Sequence, residues 1–329
     1  MSTIEQTLPA GARGHLPGST STGSTSPDLF TMIIKECQKR EPIPVAVCWP
    51  CSDVSLAGAV EAAEAGLILP HLVGPERIIR ANAAALGLNI ASFEILDTET
   101  EVDAAIRCTE LCRTGAALAL MKGSLHTDIL MKYVLQKEGG LRTTRRISHV
   151  FILEAPLYDR ALLITDAAIN IYPNLEDKID IVQNAIDLAH VLGVPEPRVA
   201  IMSAIETVNP KIVSTLDAAA LCKMADRGQI TGAILDGPLA FDTAVSKEAA
   251  LVKHLKSPVA GEADILLVPD LESGNMLAKQ LEYLGGAHLA GIVVGAKVPI
   301  ILTSRADLPE SRVASCAVAC MMVHANKGL

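Results

Sequence analysis

The sequence predicts an α/β protein built on a parallel or mixed sheet with helices on both faces. Three observations carry this expectation. From about residue 43 onward, short wholly apolar runs alternate with longer helical segments, the pattern of strands covered on both sides. Aromatic residues are only 3 % of a chain that is 50 % hydrophobic, so Ala, Val, Ile and Leu must fill the interior; that favours close-packed α/β layers over an aromatic-rich sandwich. At 329 residues the chain is long enough for two domains, each with its own core.

The elements follow in order. Residues 1–27 stand apart: the run from Gly18 to Pro27 is Gly, Ser and Thr with no apolar area to offset its ordering entropy, and it reads as a flexible tail or the stub of a linker. Pro44–Cys48 is a short buried strand, and Ser55–Gly66 an Ala-rich helix closed by a glycine. Ile68–Gly74 is the next strand. Pro75 opens a helix where its missing N–H costs little, and that helix runs through Ile78, Ala81 and Ala85 to Gly87. Ser92–Leu96 is strand-like and Val102–Thr114 helical. Ala116–Met121 is a continuous apolar strand that ends in Lys122-Gly123-Ser124-Leu125-His126-Thr127, and a helix follows from Asp128 to Lys137. In the second half, strands are expected at His149–Glu154, Arg160–Asp166, Arg198–Met202, Gly232–Leu235 and Ile265–Val268. Leu175–Leu192 and Asn209–Arg227 are helices.

Composition excludes several classes. A net charge of −9 without a long basic run is the wrong sign for a dedicated nucleic-acid binder. Eight cysteines are dilute in this length and most sit in apolar segments, so they read as small buried hydrophobes of a reducing compartment. Met1 to Glu5 does not read as a signal peptide, and no apolar run reaches 18 residues, so the expectation is a soluble cytoplasmic protein without a membrane partner. Gly-x-Gly-x-x-Gly, a Walker loop and a Gly-x-Ser-x-Gly elbow are all absent, against a dinucleotide dehydrogenase, a nucleoside triphosphatase or a serine hydrolase of the usual kinds. Cys48-Trp49-Pro50-Cys51 reads either as a redox dithiol or as two incidental cysteines at a strand end. No metal site is expected, because no Cys or His set has ligand spacing.

Open sheets of this kind bind ligands at the carboxyl ends of their strands, so the loops there are the candidates. Lys122–Asp128 delivers a lysine, a glycine and the hydroxyls of Ser124 and Thr127 just before a helix N-terminus, a place suited to phosphate; ordinary N-capping is the alternative. Asp236–Asp242 and Pro269–Asn275 are acid-and-glycine loops after consecutive strands, readable as turns or as a cleft. The last loop leads from Ile300-Ile301-Leu302 into Thr303-Ser304-Arg305, where a guanidinium and two hydroxyls can bind a planar oxyanion.

Taken in order, these segments resemble the phosphate acetyltransferase/phosphate butyryltransferase family. The resemblance covers the chain from about residue 40 to the C-terminus. It rests on Gly66–Gly74, Lys122-Gly123-x-x-His126-Thr127, Thr165–Asn170, Asp236–Leu239, Ala263–Asn275 and Leu302–Asp307. Asp236 and the Ser257–Gly261 run look closest to the butyryl branch and to the acyltransferase half of hydratase–acyltransferase fusions.

The resemblance implies reversible transfer of a short acyl group, acetyl first, between coenzyme A and inorganic phosphate. Butyryl transfer, or acyl-CoA binding without turnover, are the alternatives. It implies two three-layer α/β domains with mixed, mostly parallel sheets around an interdomain cleft, as in isocitrate and isopropylmalate dehydrogenases. Residues 28–147 plus 303–329 then form the first domain and 148–302 the second. Coenzyme A is a substrate, no cofactor is held permanently, and a homodimer is expected. Residue by residue, Ser304 would donate toward the carbonyl or the thiol, and Arg305 would hold phosphate charge. Lys122, Ser124, His126, Thr127, Asp236 and Asn275 would bind substrate. Relatives carry an acidic residue several positions after the Ser-Arg pair; the count falls on Ser311 here, so Glu310 or Asp307 is left as the base for the thiol.

Overall fold

Helix α1 (Leu29–Cys37) opens the computed structural model, which describes residues 29–303 and 309–327; the expected 1–27 tail lies outside them. Strand and helix then alternate: β1 (Ile43–Cys48), α2 (Asp53–Glu64), β2 (Ile68–Gly74), α3 (Glu76–Leu86), β3 (Glu94–Asp97), α4 (Glu101–Thr114), β4 (Ala119–Lys122) and α5 (Thr127–Val134). The second half runs β5 (Ser148–Glu154), β6 (Leu162–Thr165), α6 (Leu175–Val191), β7 (Arg198–Met202), α7 (Val213–Asp226), β8 (Ile234–Leu239), α8 (Phe241–Val245) and α9 (Lys247–Val252). It closes with β9 (Ile265–Leu267), α10 (Leu271–Tyr283), β10 (His288–Val294), β11 (Ile300–Ile301) and α11 (Pro309–Lys327).

Local chemistry fixes many of the boundaries. Ser52 and Ser55 form a reciprocal capping box at α2, and Asn174 and Asp177 do the same at α6. Helices α3 and α4 stop at Gly87 and Gly115, both left-handed, a conformation that costs glycine nothing. Pro75 sits one position earlier than expected, at the N-cap of α3 rather than inside it.

The strands form one eleven-stranded sheet in the order β3-β2-β1-β4-β11-β10-β5-β6-β9-β7-β8. Pairing is parallel except for β10 with β11, β10 with β5, and β5 with β6. The sheet is therefore mixed and mostly parallel, as expected from its apolar strands. Its two faces alternate residue by residue. Val45, Val47, Val150 and Ile152 face a core shared with α1, α2, α3, α6, α7 and α11. On the other face, Ala46 and Cys48 belong to a core under α4 and α5, and Phe151 and Leu153 to a second core under α8 and α10.

Two loop readings are corrected. Asp236-Gly237-Pro238 lies inside β8, not after it. Glycine and proline read as a turn, but β8 is the edge of the sheet and pairs only with β7, with a register shift between Ala200 and Met202; an edge strand tolerates a residue without an N–H. Likewise Leu271 to Asn275 is helix rather than loop: Asp270 caps α10 by accepting from the Ser273 N–H at 2.8 Å. Strand β10 and helix α1 were not anticipated. The eight cysteines are free thiols, six of them buried, as their apolar settings implied.

Candidate functional site

The site begins where β4 ends. Gly123 follows Lys122 and brings the chain against the end of β1: its N–H donates to the Cys48 carbonyl at 2.8 Å, and a Cβ there would lie 2.5 Å from that oxygen and 2.4 Å from the Trp49 carbonyl. Only glycine fits so close an approach. Ser124 completes the clasp, donating from its N–H and its hydroxyl to the Trp49 carbonyl, each at 2.9 Å. Its role in the structure is thus to hold the loop. His126 then stands at the N-cap of α5 and makes no side-chain hydrogen bond to the first turn.

This loop forms one wall of a cavity of about 490 Å³. Lys122, His126 and Thr127 come from it, Asn275 and Lys279 from α10, and Thr303 from the residues after β11. Leu125, Phe151, Ala168 and Leu302 make the apolar remainder. Leu125 belongs to the core under α4 and α5, and Phe151 to the core under α10, so the cavity lies at the seam between these two cores.

Its electrostatics are one-sided. No carboxylate lines it among the described residues, whereas two ammonium groups do. The Lys122 side chain is buried, with Nζ donating to the Gly123 carbonyl at 3.3 Å. Lys279 Nζ reaches Glu282 at 2.7 Å and lies 5.5 Å from the centre of the Tyr283 ring. The first turn of α5 adds backbone N–H groups at the positive end of its helix dipole. Such a wall can hold a phosphate or another polyanionic group.

The Thr165–Asn170 segment shapes the far side. Asp166 is buried and accepts from the N–H groups of Ala168, Ile169 and Asn170 at 2.9, 3.0 and 3.2 Å, and from Asn170 Nδ2 at 2.5 Å. Burial raises its pKa, and the Ala168 and Ile169 N–H groups, the Asn170 side chain and the His149 backbone oppose the rise. Asn170 in turn accepts from Arg146 Nε at 2.6 Å. This network fixes the turn that presents Ala168 to the cavity, and Asn275 Nδ2 donates to the Ala167 carbonyl at 3.2 Å.

Four expected residues, Lys122, His126, Thr127 and Asn275, thus meet in one cavity. Asp236 does not join them: it sits in β8, where its Oδ1 accepts from the Gly237 N–H at 2.8 Å. Glu310 is exposed and lines a separate groove with Phe30, Ile34, Glu61 and Glu154. Burial raises the Glu61 pKa there, and the charge of Glu310 adds to the rise. Ser304, Arg305 and Asp307 lie outside the described residues, although Thr303, their immediate predecessor, is on the cavity wall. Sequence reasoning missed Lys279 as a site residue. The signal was available, because Lys279 follows Asn275 by four positions on a helix and shares its face. The dithiol reading of Cys48 and Cys51 gains nothing: burial pushes the Cys51 thiol up to about 12, opposite to a reactive thiolate.

The fold and the cavity define an α/β protein with a lysine-lined cavity at the carboxyl ends of its strands. The family described as phosphate acetyl/butaryl transferase matches residues 99–320. The chain is 56 % identical over 295 residues to the phosphate acetyltransferase of Rhizobium meliloti, covering 90 % of this chain and 93 % of that one. It is 43 % identical over 293 residues to the phosphate butyryltransferase of Clostridium acetobutylicum, covering 89 % of this chain and 97 % of that one. The solved branched-chain phosphotransacylase of Enterococcus faecalis V583 superposes with a TM-score of 0.74 at 32 % identity, over 86 % of this chain and 99 % of that one. The chain belongs to the phosphate acetyl/butyryl transferase family and is an acyltransferase, as the sequence motifs implied. No helix among the described residues is long and apolar enough to cross a membrane.

Proposed function

We propose that this protein transfers an acetyl group reversibly between coenzyme A and inorganic phosphate in the cavity between α5 and α10. The observation that carries the reading is the lining of the cavity: Lys122, Lys279, His126 and Thr127 at the start of α5, the apolar Leu125, Phe151, Ala168 and Leu302 beside them, and no carboxylate among the described lining residues. Acetyl phosphate presents the matching pair, a dianionic head and a short apolar tail.

In this reaction the thiolate sulfur of coenzyme A attacks the carbonyl carbon of the acyl phosphate. The bond from that carbon to the bridging oxygen breaks, and inorganic phosphate leaves. Lys122 and Lys279 neutralise the departing phosphate, and the N–H groups of the first turn of α5 and the Thr127 hydroxyl orient it. Holding thiolate and acyl phosphate together supplies rate through orientation. Ser304 is assigned to donate toward the reacting carbonyl or the thiol, and Arg305 to hold phosphate charge; Thr303, the residue before them in the sequence, lines the cavity. Glu310 lines a groove separate from this cavity, so the thiol proton passes to Asp307 or leaves without a dedicated carboxylate. An unchanged acidic limb of the pH–rate profile is expected in Glu310→Gln, and its loss would return Glu310 to the mechanism.

The two-domain reading, residues 28–147 plus 303–329 against 148–302, rests on the resemblance: the cores under α4 and α5 and under α8 and α10 are separate on one face of the sheet, while the core on the other face is shared. A homodimer in the cytoplasm without a permanent cofactor completes the proposal. The test is direct: the purified protein is mixed with acetyl phosphate and coenzyme A, and thioester formation is followed. Thioester at catalytic turnover is expected. Binding of coenzyme A without turnover would instead make this a non-catalytic acyl-CoA-binding relative.

A further inference from the structure

We propose that Phe151 sets the length of the acyl group, standing as a fixed wall among the apolar residues that line the cavity; the inference rests on the acyl-transfer reading above. The phosphate of the substrate belongs with the lysines, so the chain beyond the carbonyl meets the apolar lining residues Leu125, Phe151, Ala168 and Leu302. Among these, Phe151 is the largest side chain, and it is the one the structure holds in place from behind.

Phe151 sits in the middle of β5, in register with Gly291 of β10 on one side and Ile164 of β6 on the other. Its side chain is buried, and its ring stands edge-on to the His149 imidazole with centroids 4.4 Å apart and planes at 73°. His149 is itself fully buried and points to the same face of the sheet, two residues away. Gly291 then closes the rear. A Cβ there would lie 3.5 Å from Phe151 Cε1, 3.2 Å from His149 Nε2 and 2.7 Å from the Leu302 carbonyl. The imidazole stands against the ring, and the space over Gly291 is too narrow even for a Cβ, so the ring has little room to retreat. Protein interiors at this density do not yield to an extra methylene without strain.

An acetyl group brings a single methyl to this wall, and a butyryl group brings two further methylenes. A shaped apolar pocket discriminates one methylene by roughly 10–200-fold, so a rigid wall is enough to favour the shorter chain. A smaller residue at position 151 opens room for a longer acyl chain.

The experiment uses the full-length protein and measures kcat/KM for coenzyme A acylation by acetyl, propionyl and butyryl phosphate. The wild type is expected to favour acetyl over butyryl phosphate. In Phe151→Ala the butyryl-to-acetyl ratio is expected to rise by at least about tenfold, equivalent to about 1.4 kcal/mol. Phe151→Leu shifts the ratio in the same direction by less and serves as the better-filled variant if the alanine form does not fold. A ratio within about threefold of wild type, in a variant that circular dichroism shows to be folded, overturns the proposal, as does a wild type indifferent to chain length. Failure of the wild type to acylate coenzyme A with any of the three is a different result: it removes the acyl-transfer reading itself.

Discussion

Arg312 donates from Nη1 to the Thr303 hydroxyl at 2.9 Å, and both side chains are buried. The bond ties α11 to the residue with which the chain after β11 enters the cavity wall. The stem of the same arginine lies over α2, where a Cβ at Gly58 would come 2.5 Å from Arg312 Cδ. One side chain thus spans the last helix, an early helix and the edge of the site.

Gly58→Ala is therefore expected to destabilise the protein by roughly 1–3 kcal/mol, although alanine is the better helix former by about 1 kcal/mol. In an Arg312→Ala background the collision is gone, and the same substitution becomes neutral or stabilising. Urea unfolding of the four proteins in this double-mutant cycle checks it. Additive effects would mean that the two positions do not meet.

Lys122→Met keeps the buried stem and removes the charge. It is expected to lower kcat/KM for acetyl phosphate at least about tenfold, with Lys279→Met weaker because Lys279 is shared with Glu282. Arg305→Ala is expected to cost at least about as much as Lys122→Met, if the guanidinium holds phosphate charge. Steady-state kinetics with acetyl phosphate varied reads all three, and wild-type values in any of them take that residue out of the mechanism.

Gly123→Ala places a methyl carbon against two carbonyl oxygens of the β1 end, where no side-chain movement can relieve it. A loss of roughly 1–3 kcal/mol is expected, together with lower activity, because the same loop carries Lys122 and His126. A melting temperature equal to wild type would show that the loop is not held against β1.

Burial pushes the His149 imidazole down to about 3, and neither ring nitrogen has a hydrogen-bond partner of normal geometry, although the Leu302 carbonyl faces it. The unfolded chain protonates this residue near its ordinary value of about 6.5 while the folded chain does not. The folded state therefore loses stability as pH falls from about 6.5 toward about 3, by at most about 1.4 kcal/mol per pH unit, the slope for one proton. His149→Leu is expected to flatten that part of the curve. Denaturant midpoints between pH 4 and 7 measure it, and parallel curves for the two proteins would refute neutral burial.

Much of this was readable from the residues alone, for identifiable reasons. Arg198–Met202 and Ile68–Gly74 are apolar runs bounded by punctuating residues, and each matches a strand to the residue. The loops that carry Lys122, His126, Thr127 and Asn275 stood out because strand ends in a parallel sheet are where ligands bind, and the family resemblance picked the residues within them; the structure brings these four to one cavity. Asp236 was misplaced because glycine and proline signal a turn, and only the edge position of β8 makes a strand possible there. Strand β10 escaped notice because Gly285, Gly286 and the interior Gly291 break up the apolar run. Phe151 could not be singled out, since every residue of β5 from Ser148 to Leu153 is buried and only the assembled sheet shows which of them meets open space.

Strands β10 and β11, drawn from about the final eighth of the chain, stand in the middle of the sheet, between β4 and β5. A ribosome thus releases both outer portions of the sheet before the piece that joins them. The nascent protein holds two unzipped edges until residues 288–301 emerge, and a product shortened from the carboxyl end past them is left with a gap at its centre rather than a trimmed margin.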